Sequence, residues 1–344
     1  MIEVNHLTKR YGGHTAVSDL SFTIEKGQIY GFLGPNGAGK STTMNIMTGC
    51  LAATAGDVKI DGYDIFEQPM QAKRRIGYLP EQPPLYPDRT PREYLEFVAE
   101  AKGVAKTERG GQIRRVMELT GVTDVADRLC KNLSKGYRQR VGIAQALLGD
   151  PEIIILDEPT IGFDPKQIIE VRNLIRDLAK KHTVIFSSHI LSEVQAVCDH
   201  ILIINHGRLV ANGTPAELER KLGDFSVDVT VKSVSAEAVK SALGAIDGVQ
   251  SISTEKVENG EVSVNLKLAD DKDIREAVYN ACVRANLPIL MLRSNDHSLE
   301  QIFLNLTREG SKMGLKRRKR KKIAAGGAGS AKSAAENSSD KEAK

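Results

Sequence analysis

The chain has 344 residues, more than one compact domain usually needs, and its 41% hydrophobic and 27% charged residues exclude a wholly disordered or collagen-like protein. Its +4 formal charge is unevenly spread: residues 312–344 hold eleven basic against three acidic residues, so a mildly acidic body without a broad nucleic-acid-binding face precedes a basic tail. No apolar run approaches the ~18–20 residues that cross a bilayer, the N-terminus lacks the apolar core of a secretion signal, and four scattered cysteines without a CxxC pair read as reduced thiols rather than a zinc or disulfide framework.

Ser21–Ile24 and Gln28–Leu33 read as strands, the second running into a glycine-rich turn and then a helix from Ser41 to about Met47. Val58–Ile60 and Ile76–Leu79 are further short strands. From Pro83 to about Leu148 the periodicity is helical, with Tyr94, Leu95, Phe97 and Val98 in one helix and Ile113, Val116 and Met117 in the next. Ile153–Leu156 and Thr183–Phe186 are continuous apolar runs, which suit the buried centre of a parallel sheet. Ile201–Ile204 and Arg208–Ala211, joined by Asn205-His206-Gly207, read as a hairpin. The alternation of strands and helices is that of an α/β fold.

After Leu222 the rhythm resets. A strand at Phe225–Val231, a helix at Ala236–Ala245, a hairpin of Val249–Lys256 and Glu261–Leu268 turning at Asn259-Gly260, a helix at Ile274–Ala285 and a strand at Pro288–Leu292 follow in turn. This βαββαβ order matches a smaller α+β unit of the ferredoxin-like kind. A short helix at Leu299–Leu306 comes next. Residues 323–344, rich in Ala, Gly, Ser and Lys, have almost nothing apolar to bury and are expected to be disordered. The boundaries expected are a first domain over 1–220 with a helical subdomain at about 83–150, an accessory domain over 223–309, and a basic tail over 310–344.

Gly34-Pro35-Asn36-Gly37-Ala38-Gly39-Lys40-Ser41 fits GxxxxGK[ST] between a strand and a helix. Glycines let the backbone curl so that amide N–H groups point at phosphate oxygens, and the helix N-terminus adds its positive dipole end. Lys40 is placed to reach the β- and γ-phosphates and Ser41 to ligate Mg²⁺, with Thr42 next in the same turn. A glycine-rich turn with an ordinary lysine is the bland alternative, which the strand–loop–helix setting disfavours. Downstream, the apolar strand Ile153–Leu156 ends in Asp157 and Glu158. Asp157 can hold Mg²⁺ through water, and Glu158 can orient or accept a proton from an attacking water. The same pair could merely end a strand before the Pro159 turn.

Leu133-Ser134-Lys135-Gly136-Tyr137-Arg138-Gln139-Arg140 is similar to the LSGGQ-type signature of ABC transporter ATP-binding subunits, and with these motifs residues 1 to about 220 resemble that family. The sequence departs from the signature at Lys135 and Tyr137, substitutions familiar in subunits that drive export-type permeases. A serine hydroxyl and a glycine amide at a helix N-terminus form an anion site in any case. The resemblance implies a P-loop ATPase fold and a dimer, of two copies or of this chain with a relative, in which Ser134 and Gly136 face the γ-phosphate bound to the opposite subunit. It further implies that Tyr11 stacks on adenine, that Gln82 contacts Mg²⁺ and the water, and that Asp164 crosses the dimer interface. His189, 32 residues beyond Asp157, matches the histidine that contacts the γ-phosphate. Competing roles are a core tyrosine, a solvated loop glutamine, a helix N-cap and a structural histidine respectively.

Ser298–Thr307 resembles the C-terminal end of subunits paired with ABC-2-type export permeases, such as those of sodium, antibiotic and gliding-motility export; an amphipathic helix packing on its own domain is the simpler reading. Lacking a membrane span, such a subunit works from the cytoplasmic face of the membrane through a permease partner. Glu81, Tyr86 and Arg89 are placed to meet that permease in the groove between Gln82 and the helical stretch. The run Lys316–Lys322 can dock on anionic lipid at ~1 kcal/mol per charge, touch RNA or stay solvated. The alternative function is a soluble ATPase of the same superfamily acting on ribosomes or DNA. A single phosphate loop, a single signature and only 94 residues between Lys40 and Ser134 argue against it, and no nucleic acid partner is expected.

Overall fold

The computed structural model describes residues 1–222, 225–233, 235–258, 260–269, 272–295, 299–300 and 303–304. The chain opens with β1 (Ile2–Tyr11), β2 (His14–Ile24), β3 (Ile29–Leu33), α1 (Lys40–Met47), β4 (Ala55–Ile60), β5 (Tyr63–Asp64), α2 (Pro69–Lys73) and β6 (Ile76–Leu79). A helical stretch follows: α3 (Pro91–Ala101), α4 (Lys106–Thr120) and α5 (Lys135–Leu147). Alternation resumes with β7 (Ile153–Leu156), α6 (Pro165–Ala179), β8 (Thr183–Ser188), α7 (Leu191–Gln195), β9 (His200–Asn205), β10 (Arg208–Gly213) and α8 (Pro215–Leu222). Then come β11 (Ser226–Lys232), α9 (Ala236–Gly244), β12 (Val249–Glu258), β13 (Glu261–Leu268), α10 (Arg275–Arg284) and β14 (Ile289–Asn295).

Six strands form the central sheet in the order β10-β9-β3-β8-β7-β6. It is parallel except for β10, which folds back on β9 as the expected hairpin. Each parallel strand divides its apolar residues between two cores. Ile154, Leu156, Val184 and Phe186 face the layer of helices. Ile153, Ile155 and Ile185 instead share a core with Ile2, Val4 and Leu20 of the antiparallel sheet β2-β1-β4-β5. Burial on both faces is why these strands read as unbroken apolar runs.

The antiparallel sheet is larger than its sequence pattern shows. Buried positions run Ile2, Val4, Leu7 in β1 and Val17, Leu20, Phe22, Ile24 in β2, so each strand takes one three-residue step. Those steps coincide with register shifts in the pairing, and His6 and Asp19 adopt left-handed φ values of 50° and 57°. Such bulges interrupt the period-two signal. That is why only Ser21–Ile24, beyond the irregular part of β2, is legible as a strand, and β1 is not.

The helical stretch starts cleanly. Thr90 caps α3 through a reciprocal capping box with Glu93, with Pro91 at the first helical position. Tyr94, Leu95 and Ala99 are buried, whereas Phe97 lies on the open face of the helix, edge-on to Tyr86. Lys102, at the end of α3, donates to the carbonyls of Gln145, Ala146 and Leu148 and so closes the C-terminus of α5.

Residues 226–295 form a separate antiparallel sheet in the order β12-β13-β11-β14. Val227, Val229 and Val231, with Val262, Val264 and Leu266, pack against Val239, Leu243, Val278 and Cys282 of α9 and α10. The turn before β13 passes through Gly260 at φ 77°, while Asn259 lies outside the described residues. Of the expected helix Leu299–Leu306, residues 299–300 and 303–304 are helical, and Leu299 is fully buried in the apolar cluster of the helical layer. The basic run Lys316–Lys322 and residues 323–344 lie outside the described residues. Among the described residues no helix is long and apolar enough to cross a membrane.

Candidate functional site

Parallel strands deliver their loops to one edge of the sheet, and ligands of such folds bind at the carboxyl ends of the strands. β3, β8, β7 and β6 are successive neighbours, so the phosphate loop, the Ser187–His189 segment, the Asp157-Glu158 pair and the loop holding Glu81 and Gln82 are brought to that same edge.

Two glycines of the loop are sterically required. A Cβ on Gly34 would collide with the Ile204 carbonyl of the neighbouring strand, and one on Gly39, at φ 106°, would sit 2.7 Å from the Ala16 carbonyl. Thr43 closes the first turn of α1 by donating both its amide and its hydroxyl to the Gly39 carbonyl, at 2.9 and 2.8 Å. Lys40 is buried; its Nζ donates to the Gly34 carbonyl at 2.8 Å and lies 3.3 Å from Glu158 Oε1.

Glu158 carries a left-handed φ of 49°, which strains a residue with a Cβ. Three hydrogen bonds hold it there. Its amide donates to Ser187 Oγ at 2.8 Å, and its carbonyl accepts from Gln139 Nε2 at 3.4 Å and from the Ile161 amide at 3.2 Å. Ser187 Oγ in turn donates to Asp157 Oδ1 at 2.5 Å. Burial pushes the Asp157 carboxyl above its ordinary pKa, opposed by hydrogen bonds from Ser187 and Ser41. His189, nearly half exposed, places Nδ1 3.0 Å from Glu158 Oε2. Lys40, Glu158 and His189 therefore form one contiguous polar array.

A cavity of about 520 Å³ opens over this array, within the range of small-molecule and cofactor sites. Of the expected residues, Tyr11, Asn36, Gly37, Ala38, Gly39, Lys40, Ser41, Thr42, Glu158 and His189 line it. Tyr11 stands half-exposed at the rim with Lys9 Nζ 5.2 Å from its ring centroid. Gly34, Pro35 and Asp157 are not part of the lining; Gly34 and Asp157 are buried. Gln82 is exposed and does not line the cavity, whereas its neighbour Glu81 does. His14, across the β1–β2 hairpin from Tyr11, and Ile161 also contribute to the lining; neither carries a motif that marks it in the sequence.

Ser134, Gly136 and Asp164 meet outside this cavity. Ser134 caps α5 by accepting from the Tyr137 amide at 3.3 Å, and Asp164 caps α6 through a box with Gln167. A Cβ on Gly136 would lie 3.1 Å from the Phe163 ring and 3.4 Å from Gln167 Oε1, so the two helix starts adjoin. Both departures from the signature have local partners. The Tyr137 hydroxyl donates to Asp124 at 2.6 Å, and the Lys135 stem packs over Gly162. Sequence reasoning missed Ser187, whose only signal is a hydroxyl pair ending an apolar strand, and gave Gln139 no role. Among the described residues no group of three or more His, Cys, Asp or Glu could hold a metal by protein ligands alone.

A family model described as ABC transporter matches residues 17–161. The linearmycin resistance ATP-binding protein LnrL of Bacillus subtilis is 32% identical over 309 residues, covering 89% of this chain and 98% of LnrL. The bacitracin transport ATP-binding protein BcrA of Bacillus licheniformis is 42% identical over 212 residues, 61% of this chain and 68% of BcrA. A solved ATP-binding subunit of an ABC transporter superposes with a TM-score of 0.59 at 30% identity, over 64% of this chain and 92% of that one. A dimeric ATP-binding cassette in a post-hydrolysis state with ADP and Pi gives 0.58 at 26% identity, over 62% and 98%. With the phosphate loop, the carboxylate pair and the histidine gathered at one sheet edge, and LnrL matched along nearly its whole length, the chain belongs to the ABC transporter family as an ATP-binding and ATP-hydrolysing subunit.

Proposed function

We propose that two such subunits, or this one with a relative, close around ATP and open after its hydrolysis, driving a separate permease for export. The observation that carries the reading is the Lys40–Glu158–His189 array at the floor of the cavity. Phosphoryl transfer needs positioning and charge neutralisation more than covalent chemistry. Lys40 moves its Nζ from the loop carbonyl to the β- and γ-phosphate oxygens, Glu158 orients the attacking water and accepts its proton, and His189 holds the γ-phosphate oxygens. Ser134 and Gly136, at the N-terminus of α5, serve the nucleotide of the opposite subunit, and Asp164 lies on the same seam.

Mg²⁺ fits the donors present: Ser41 and Asp157 would supply hard oxygens close enough for Ser41 to lower the Asp157 pKa, and this ion needs few protein ligands beside phosphate oxygens and water. Bound there, it neutralises phosphate charge. Gln82, exposed beside Glu81, is proposed to join that shell and to report on the permease. The permease itself docks beside Glu81, Arg89 and the open aromatic patch of Tyr86 and Phe97, whose rings meet edge-on at 5.6 Å. The names of LnrL, a linearmycin resistance protein, and BcrA, a bacitracin transport protein, support movement of an antibiotic-like cargo and favour transport over action on ribosomes or DNA; an ABC-2-type export permease is the partner proposed.

The division into a nucleotide domain over 1–220, a ferredoxin-like accessory domain over 223–309 and a basic tail over 310–344 is part of the same proposal. It is supported by the antiparallel order β12-β13-β11-β14 with α9 and α10 packed on it. The subunit works at the cytoplasmic face of the membrane, held by the permease and by Lys316–Lys322 on anionic lipid.

The test is Glu158→Gln. The variant should bind ATP and associate in its presence, while turnover falls about a hundredfold or more. Near-normal ATP hydrolysis by the purified variant would show that another group activates the water.

A further inference from the structure

One buried carboxylate near the site has no role in the chemistry above. Glu193, in α7, is 3% exposed, and its Oε2 accepts from both Thr160 Oγ1 at 2.9 Å and Ser188 Oγ at 2.7 Å. A carboxylate withdrawn from water must be met by donors. Here both donors come from the segments that flank the reacting groups. Thr160 lies two residues beyond Glu158, and its carbonyl accepts the Phe163 amide at 3.2 Å, immediately before Asp164. Ser188 precedes His189, and its Oγ also accepts the Ile190 amide at 3.0 Å, so the histidine is pinned from both sides. The Glu193 amide donates to the Ile190 carbonyl at 3.2 Å and completes the clamp.

Docking of α7 does not require this carboxylate. The adjacent Val194, with Cys198 three residues beyond the helix, already packs against β3 at Gly31, where no Cβ could fit. An apolar residue at 193 would bury as well, but would leave the Thr160 and Ser188 hydroxyls without an acceptor.

We propose that Glu193 is a positioning residue for hydrolysis: one carboxylate oxygen ties the turn after Glu158 to the end of β8, and thereby holds His189 Nδ1 at hydrogen-bonding distance from Glu158. The inference rests on the assignment of Glu158 and His189 to the hydrolytic step. It also gives the Thr160–Asp164 segment, which leads to the proposed seam, a direct mechanical link to His189.

The experiment compares ATP turnover, KM for ATP and thermal melting of Glu193→Ala and Glu193→Gln, with Glu158→Gln and His189→Ala measured alongside. In Glu193→Ala, kcat should fall about tenfold or more while KM stays within about twofold. Glu193→Gln, whose amide oxygen can accept both hydroxyls, should keep at least about a third of kcat. Unchanged kcat in the alanine variant, a fall in kcat matched by a rise in KM, or a glutamine variant as poor as alanine overturns the proposal. Should the alanine variant fail to fold, Thr160→Val removes one donor at nearly constant shape; kcat should drop about threefold in a variant that is still folded at the assay temperature, with KM unchanged, and full activity overturns the idea. Full turnover in Glu158→Gln and His189→Ala would instead sink the hydrolytic assignment, an outcome distinct from retained turnover in Glu193→Ala alone.

Discussion

At Glu158 a strained backbone and a functional side chain coincide. A left-handed φ at a residue with a Cβ is unfavourable by about 1 kcal/mol or more. It persists because Ser187 Oγ accepts the Glu158 amide while donating to Asp157. The strain aims the carboxylate at Lys40 and His189 instead of leaving it to end the strand. Ser187→Ala should therefore act twice. Unfolding free energy should drop by about 1–3 kcal/mol because a buried amide loses its acceptor, and turnover should fall because Glu158 loses its anchor. Denaturant melts and ATPase assays that both match wild type would refute this role.

At the scale of elements, α5 is anchored at both ends by side chains that its own periodicity does not reveal. Ser134 caps the start; Lys102, from a different helix, caps the end by donating to three carbonyls. Burial pulls the Lys102 ammonium down to about 8, against the pull of those oxygens and of the helix dipole. Lys102→Met keeps the apolar stem and removes the donor, and should destabilise the protein by about 1–3 kcal/mol at neutral pH. A denaturation midpoint equal to that of wild type would show that water satisfies the carbonyls instead. The bulged strands make the complementary point. Local irregularity erased the alternation in β1, yet seven pairs to β2 and five to β4 hold it in the sheet.

At the scale of the molecule, Asp61 joins distant parts of the chain at the sheet edge. It accepts from the N-terminal ammonium at 2.6 Å and lies 3.0 Å from Lys26 and 3.4 Å from Arg75. Burial alone would raise its pKa; hydrogen bonds from the ammonium and Lys26 prevail and bring it down to about 2. Because the folded value lies below the unfolded one, its contribution is complete above about pH 4 and disappears as pH falls through about 2. Asp61→Asn should thus be less stable than wild type at pH 7, with a gap that narrows on acidification. A gap independent of pH between 7 and 3 would count against the ion cluster. The tail is testable on the whole protein as well. Removing residues 312–344 should weaken binding to anionic vesicles in low salt, and equal binding by the truncated chain would eliminate lipid contact.

The phosphate loop, the signature, the carboxylate pair and His189 were legible in the sequence because each is a contiguous run whose chemistry depends on fixed spacing along the backbone. So were the parallel strands and the second βαββαβ unit, since double burial and strict alternation leave periodic traces. The clamp of Glu193 on Thr160 and Ser188, the Lys102 cap and the Asp61 junction were not legible. Each depends on side chains far apart in sequence meeting across a shared sheet edge or helix end, and no local pattern encodes a hydrogen bond that exists only after the strands have taken their places.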